Sequence, residues 1–231
     1  MSLPNVNIVR ERIEQVDRED VRTCLMCGYL FCARVSELIS KISPSDLEHT
    51  TPRGPKGSDV RVESFELGPV REKAAVFTIS TAKRDGIERL VALPLDEKYE
   101  PWTSIVYDYF QQRKKQPCFP FTRQKIWQSS RSAFKGLKYP IERYVLIENR
   151  GEKKIRKVVD RHMKPFATHA LRHMRTRELL ERYGFEWDDL SIYGGWTLRS
   201  MLPQVSASMQ RYAHLRWQQY FPKLLKEREK N

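Results

Sequence analysis

The chain has 231 residues, room for one large domain or two small ones, and 40% of it is hydrophobic, enough for a core. No apolar run is long enough to span a bilayer, and the opening Met1-Ser2-Leu3-Pro4 lacks the charged-then-apolar pattern of a secretory leader. Lysine and arginine outnumber aspartate and glutamate by 42 to 29, and the resulting +13 favours a polyanionic partner, nucleic acid ahead of an anionic membrane.

In chain order, the acidic stretch Asp17-Arg18-Glu19-Asp20 precedes an apolar run and predicts a helix over 21–31. That run holds Cys24-Leu25-Met26-Cys27, but no second cysteine pair or histidine pair completes a zinc site. With Cys32 and Cys118 these cysteines read as buried thiols in a reducing setting. A second helix is expected over 34–42, stopped by Ser43-Pro44, followed by an exposed loop over 50–59. Strands are expected over 60–66, 74–81 and 89–95, the last two flanking a turn marked by Asp85-Gly86. Residues 101–115 have helical spacing, with Trp102, Ile105, Val106 and Tyr109 on one face, and 121–134 reads as a basic helix. Alternation over 140–160 around Asn149-Arg150-Gly151 predicts a second, very basic hairpin. Thr168 is expected to cap a helix that runs to Tyr183 and ends at Gly184, and a short helix over 187–193 stops at Gly194-Gly195. Ser206 or Ser208 opens a helix carrying Tyr212. An amphipathic basic tail follows over 215–230, with Trp217, Tyr220, Phe221, Leu224 and Leu225 as an apolar stripe suited to docking on its own domain or on another protomer.

Three short segments carry chemistry: Ala33-Arg34-Val35-Ser36-Glu37-Leu38, His169-Ala170-Leu171-Arg172-His173, and Arg211-Tyr212-Ala213-His214. Cleaving a phosphodiester needs positive charge on the non-bridging oxygens, a nucleophile, and an acid for the leaving oxygen. Arginine suits the first task because its planar fork binds phosphate oxygens two at a time and stays charged. Histidine can manage a proton and tyrosine can attack phosphorus. Each residue also has a plain reading: a packed or capping histidine, a core tyrosine, a solvated hairpin lysine, a packing tryptophan. Arg34 lies inside an apolar run, where a merely solvated arginine is out of place.

These segments resemble the boxes of the tyrosine recombinase (phage integrase) family. Cys32 to Leu38 resembles its first arginine box, and Thr81-Ala82-Lys83-Arg84-Asp85-Gly86 with the following strand resembles its lysine hairpin. His169 to His173 resembles its HxxR box, Gly195-Trp196 its glycine–histidine/tryptophan pair, and Arg211 to His214 its nucleophile box. Any one match is weak; five in order, over most of the chain, are specific. The resemblance implies an α+β, mostly helical catalytic domain over 1–215 with a small three-stranded antiparallel sheet at one edge, and a C-terminal tail over 216–231. It implies metal-free cleavage and religation of double-stranded DNA without a cofactor. In that scheme Tyr212 is the nucleophile and Arg34 and Arg172 stabilise the phosphate. Lys83 is the acid for the 5′ oxygen, His169 assists proton transfer, Trp196 contacts a non-bridging oxygen, and Glu37 orients the arginine and histidine. Other protomers, as a tetramer on DNA, are the implied partners. The implied setting is cytoplasmic, at a prokaryotic nucleoid or in the host of a mobile element such as an archaeal virus or plasmid.

The chain departs from the pattern in three ways. Trp196 and Tyr212 are unusually far apart, the 140–160 hairpin is an insertion, and the helical domain that normally precedes the first arginine box is absent, so a catalytic fragment or a minimal protein is expected. Two rivals share features with this reading. A type IB topoisomerase uses the same attack, but a lysine resembles the first HxxR position, where this chain has His169. A non-catalytic DNA-binding protein needs none of Arg34, His169, Arg172 and Tyr212. No RRM-like or KH-like signature supports an RNA-binding module.

Overall fold

The fold, taken from a computed structural model, is described for residues 3–41, 54–81, 88–150, 153–195 and 217–228. For residues 142–150 and 153–161 only the backbone is described. It is an α+β arrangement with a small antiparallel sheet, as the sequence predicts.

Helix α1 (Val6–Glu14) is started by Asn5, whose side chain accepts the Asn7 N–H at 2.8 Å. Helix α2 (Glu19–Leu30) has two acids in its first turn, which suit the positive end of the helix dipole. It is buried on nearly every side, because α1, α3 (Val35–Leu38), α4 (Pro101–Arg113), α5 (Arg123–Ala133) and α6 (Thr168–Glu181) all pack on it. Its cysteines are among those core residues: all four in the chain are buried free thiols, and burial pushes the Cys24 and Cys27 thiols well up.

The expected helix over 34–42 shrinks to the single turn of α3. Cys32 takes a left-handed backbone conformation (φ +48°), which is costly for an L residue, and Arg34 is extended. The buried Glu37 carboxylate accepts the Arg34 N–H at 2.9 Å and so fixes the helix start after Arg34. Ile39 is again extended and the Ser40 N–H goes to the Phe119 carbonyl at 3.1 Å, drawing the chain away from a helical path.

Strands β1 (Val60–Leu67), β2 (Val70–Ser80) and β3 (Glu88–Pro94) pair antiparallel in that order, with Val60 opposite Phe77 and Phe77 opposite Val91. β2 begins four residues before the expected start. Gly68, at φ +59°, makes a tight turn that pairs Leu67 with Val70 and carries the ladder through polar Arg71-Glu72-Lys73, where no apolar alternation signals a strand. Phe77 joins the sheet to the helices, its ring centroid 4.7 Å from Phe31 and 5.1 Å from Phe110. In α4, Trp102, Val106 and Tyr109 are buried as their spacing predicts. Ile105 is 45% exposed, however, and Phe110 completes the buried face in its place.

Strands β4 (Lys138–Arg150) and β5 (Lys153–Pro165) form a separate two-stranded ribbon, longer at its base than the 140–160 pattern. Thr168 is the first residue of α6 rather than its cap; Ala167 holds the cap position and makes no side-chain bond. Helix α7 (Trp187–Gly194) stops at Gly195, φ +64°, where a Cβ would sit 2.6 Å from Arg89 Cδ. The tail is not one amphipathic helix. It consists of a 3₁₀ turn (Trp217–Gln219) and a single-turn α8 (Phe221–Leu224), with Pro222 in α8's first turn. Four residues of its apolar stripe, Trp217, Tyr220, Phe221 and Leu224, are nonetheless buried on their own chain, with Leu225 partly buried: Phe65 of β1 lies 4.9 Å from the Phe221 ring and 6.1 Å from Trp217. No helix among the described residues is long and apolar enough to cross a membrane.

Candidate functional site

The junction after α2 brings two distant boxes together. The left-handed turn at Cys32 aims its carbonyl at α6, where Arg172 donates to it at 2.5 Å. Two residues on, Arg34 leaves the same turn and its guanidinium donates to Glu37 at 3.0 Å. Arg172 is only 5% exposed, whereas the Arg34 side chain is about one-third open, so one arginine is locked in the wall and the other faces outward. One helical turn before Arg172 on α6, His169 meets His173 edge-on, ring centroids 4.6 Å apart.

The electrostatics of this corner are positive. Burial pulls the Arg172 guanidinium down to about 10; Cys32 and Glu37 oppose the shift, and the neighbouring Arg34 and Arg89 add to it. His169 is held below the ordinary histidine range, first by burial and then by His173, Arg172, Arg34 and Lys164. His173 is lowered by burial and by Arg172. His169 is therefore neutral at pH 7 and able to accept a proton, beside guanidinium groups that attract an anion.

Arg89 is a member of this cluster that the sequence reading did not single out. It reaches from β3 to donate to the Phe31 carbonyl at 2.8 Å and to the Tyr193 carbonyl, and it lies 3.5 Å from Glu37. Glu37 thus holds Arg34 with one oxygen and meets Arg89 with the other. The signal was present in Arg89-Leu90-Val91-Ala92-Leu93: an arginine inside an apolar strand, the same anomaly that marks Arg34. Gly195, which caps the end of α7 in a left-handed conformation, leaves room for the Arg89 stem because it has no side chain.

The opposite side of α6 is braced by buried charge. Arg175 pairs with Glu178, Glu100 pairs with Arg10, and Arg228 from the C-terminal segment reaches Glu100 at 3.1 Å and Glu178 at 2.6 Å. Tyr29 donates to Glu178 at 2.6 Å. Burial alone would raise both carboxyls. Arg175 and Arg228 outweigh it at Glu178, holding it at about 2, and Arg10, Arg228 and Arg175 do the same at Glu100.

Lys83, Trp196 and Tyr212 lie outside the described residues, as do the turn over 82–87 and the helix expected to carry Tyr212. Arg34, Glu37, His169 and Arg172 are the expected site residues that the structure describes, and it brings them to one corner. Two other tyrosines are removed as nucleophiles by their surroundings. Tyr193 and Tyr220 are fully buried, their hydroxyls bonded to backbone groups and their ionisation pushed strongly upward by burial. Tyr139 stands at the cluster's edge, its ring 6.5 Å from His173. Comparisons with family models, curated proteins and solved structures find no match to this chain.

Proposed function

We propose that this chain is the catalytic domain of a tyrosine-type site-specific DNA recombinase, one that integrates or excises a mobile element such as a virus or plasmid genome. The observation that carries the reading is the bond from Arg172 on α6 to the Cys32 carbonyl, two residues before Arg34, which draws two separate sequence boxes into one cationic corner with His169. The ordered resemblance of five segments supplies the rest.

On this reading a scissile phosphate places its non-bridging oxygens on Arg34 and Arg172, with Trp196 at one of them. The Tyr212 hydroxyl oxygen attacks phosphorus while its proton passes to His169. The bond from phosphorus to the 5′ oxygen breaks, and Lys83 protonates that oxygen, leaving a 3′-phosphotyrosyl link and a free 5′-hydroxyl. Attack by a 5′-hydroxyl from a partner duplex reverses the steps, so the bond energy is conserved and no nucleotide is consumed. Glu37 and Arg89 act through Arg34 as positioning residues. Further protomers on the same DNA complete the exchange.

The test uses a duplex nicked beside the cleavage site, so that the short fragment carrying the free 5′-hydroxyl is lost and religation cannot occur. A detergent-resistant protein–DNA adduct is expected in the presence of a chelator. Arg34→Ala or Arg172→Ala should lower its rate by about 10²–10³-fold, the usual loss when a transition-state donor is removed. Binding with no adduct would assign a non-catalytic DNA-binding protein. Relaxation of supercoils without strand exchange would assign a type IB topoisomerase.

A further inference from the structure

The ribbon β4–β5 is unused by the chemistry above. Each strand has 13 residues, so the ribbon extends about 40 Å at the usual strand rise. It forms a sheet of its own and shares no strand with β1–β3. Its register slips twice, between Arg143 and Tyr144 and between Leu146 and Glu148, and such bulges add right-handed twist. A two-stranded ribbon this long is poorly stable by itself in water.

Its root and its tip differ in a telling way. At the root, Tyr139 packs 6.1 Å from Phe166 and Phe166 packs 5.0 Å from Phe134, and β5 runs through Phe166 directly into α6. Lys164, at the end of β5 just before α6, is near enough to depress His169. The ribbon therefore springs from the edge of the Arg34–His169–Arg172 corner. At the far end, β4 finishes on Arg150 and β5 begins with Lys153, Lys154, Ile155, Arg156 and Lys157, five cations and no acid among these six residues. Strand alternation puts positions 153 and 157 on one face of β5 and 154 and 156 on the other. Isolated lysines along a sheet edge serve to discourage aggregation. A one-signed cluster on both faces at the far end exceeds that need.

We infer that β4–β5 is a duplex-DNA arm that lies along a groove next to the cleavage site and grips phosphates about one helical turn away from it. A twisted two-stranded ribbon fits the DNA major groove, which is about 12 Å wide, and its length exceeds the ~34 Å of one turn. Cations on both faces suit a channel with phosphate on both walls. The inference rests on the proposed function, because it takes the corner at the ribbon's root as the place where duplex DNA enters.

The experiment compares the full chain with a tip variant, Lys153→Gln/Lys154→Gln/Arg156→Gln/Lys157→Gln. A control variant, Arg61→Gln/Arg71→Gln/Lys98→Gln/Arg177→Gln, removes the same charge from exposed sites on the rest of the molecule. Affinity is measured for duplexes of about 10 and about 30 base pairs across a salt series. The tip variant should lose at least about tenfold affinity for the long duplex and little for the short one. Its salt dependence should be shallower by about 0.9 in log–log slope for each phosphate it no longer neutralises, and the control should change far less. Thermal unfolding of both variants should match the parent. Equal losses in the two variants, or a tip variant that binds the long duplex as the parent does, would overturn the arm while leaving the adduct-based reading intact. Parent protein that binds anionic vesicles or single-stranded RNA but no duplex DNA would overturn both.

Discussion

Glu37 lies between two guanidinium groups, one from the residue that starts α3 and one from β3, and it is itself buried. Removing it leaves Arg89 as an uncompensated buried charge, so Glu37→Ala should cost about 3–5 kcal/mol of stability, measurable by urea unfolding. A cost below about 1 kcal/mol would mean that the cluster is not a mutually dependent unit. His169 gives a second test at this scale. Its folded value is depressed, so its share of stability is full above the ordinary value of 6.5 and is lost as pH falls through the folded value. Its imidazole signals in the free chain should titrate with a midpoint below 6.5; a midpoint at or above that value would remove the neutral proton acceptor. The arginine and histidine boxes were legible in the sequence because their residue types are chemically unusual in their settings. Arg89 was equally unusual, but it sits beside a lysine hairpin that attracts attention first. That its guanidinium meets Glu37 depends on a strand register that no local pattern prints.

Among the elements, the ribbon and the small sheet were legible from alternation and turn residues, whereas α3 and the tail were not. The 34–42 run has helical composition, yet one buried carboxylate and one left-handed residue limit it to a turn; both are tertiary effects. The tail's stripe was correctly apolar, but spacing alone could not say that two separate turns, not one helix, bury it. Its anchor is Tyr220. The hydroxyl accepts the Ala92 N–H of edge strand β3 at 2.8 Å and faces the Leu90 carbonyl at 3.4 Å. Tyr220→Phe strips a buried N–H of its partner and should cost about 1–3 kcal/mol. Unchanged stability would show that the tail is not held to the sheet in this way.

For the molecule as a whole, α6 is the shared part: one face presents His169 and Arg172, and the other is tied by Glu178 and Arg175 to α1, α4 and the C-terminal segment. Both Glu178 and Glu100 have folded values below their ordinary range, so the stability they add is full above about pH 4.5 and is lost as pH falls through those folded values, which for Glu178 is about 2. Glu178→Gln should flatten the pH dependence of unfolding across that window, and an unaltered profile would mean that these ion pairs do not brace the helix. The α+β class, the basic character and the cationic corner could all be read from composition and motif order. The brace could not, because its five charged residues are scattered from Arg10 to Arg228 and meet only in three dimensions. The central claim is that this corner directs a tyrosine onto DNA phosphorus, and the most direct measurement is the identity of the attacking residue. The adduct formed on nicked duplex is digested and the peptide carrying the nucleotide is sequenced by mass spectrometry. The account predicts a phosphodiester on Tyr212 and loss of the adduct, with DNA binding retained, in Tyr212→Phe. A modified Tyr139, the tyrosine seen beside His173, or an adduct that survives in Tyr212→Phe, would contradict it.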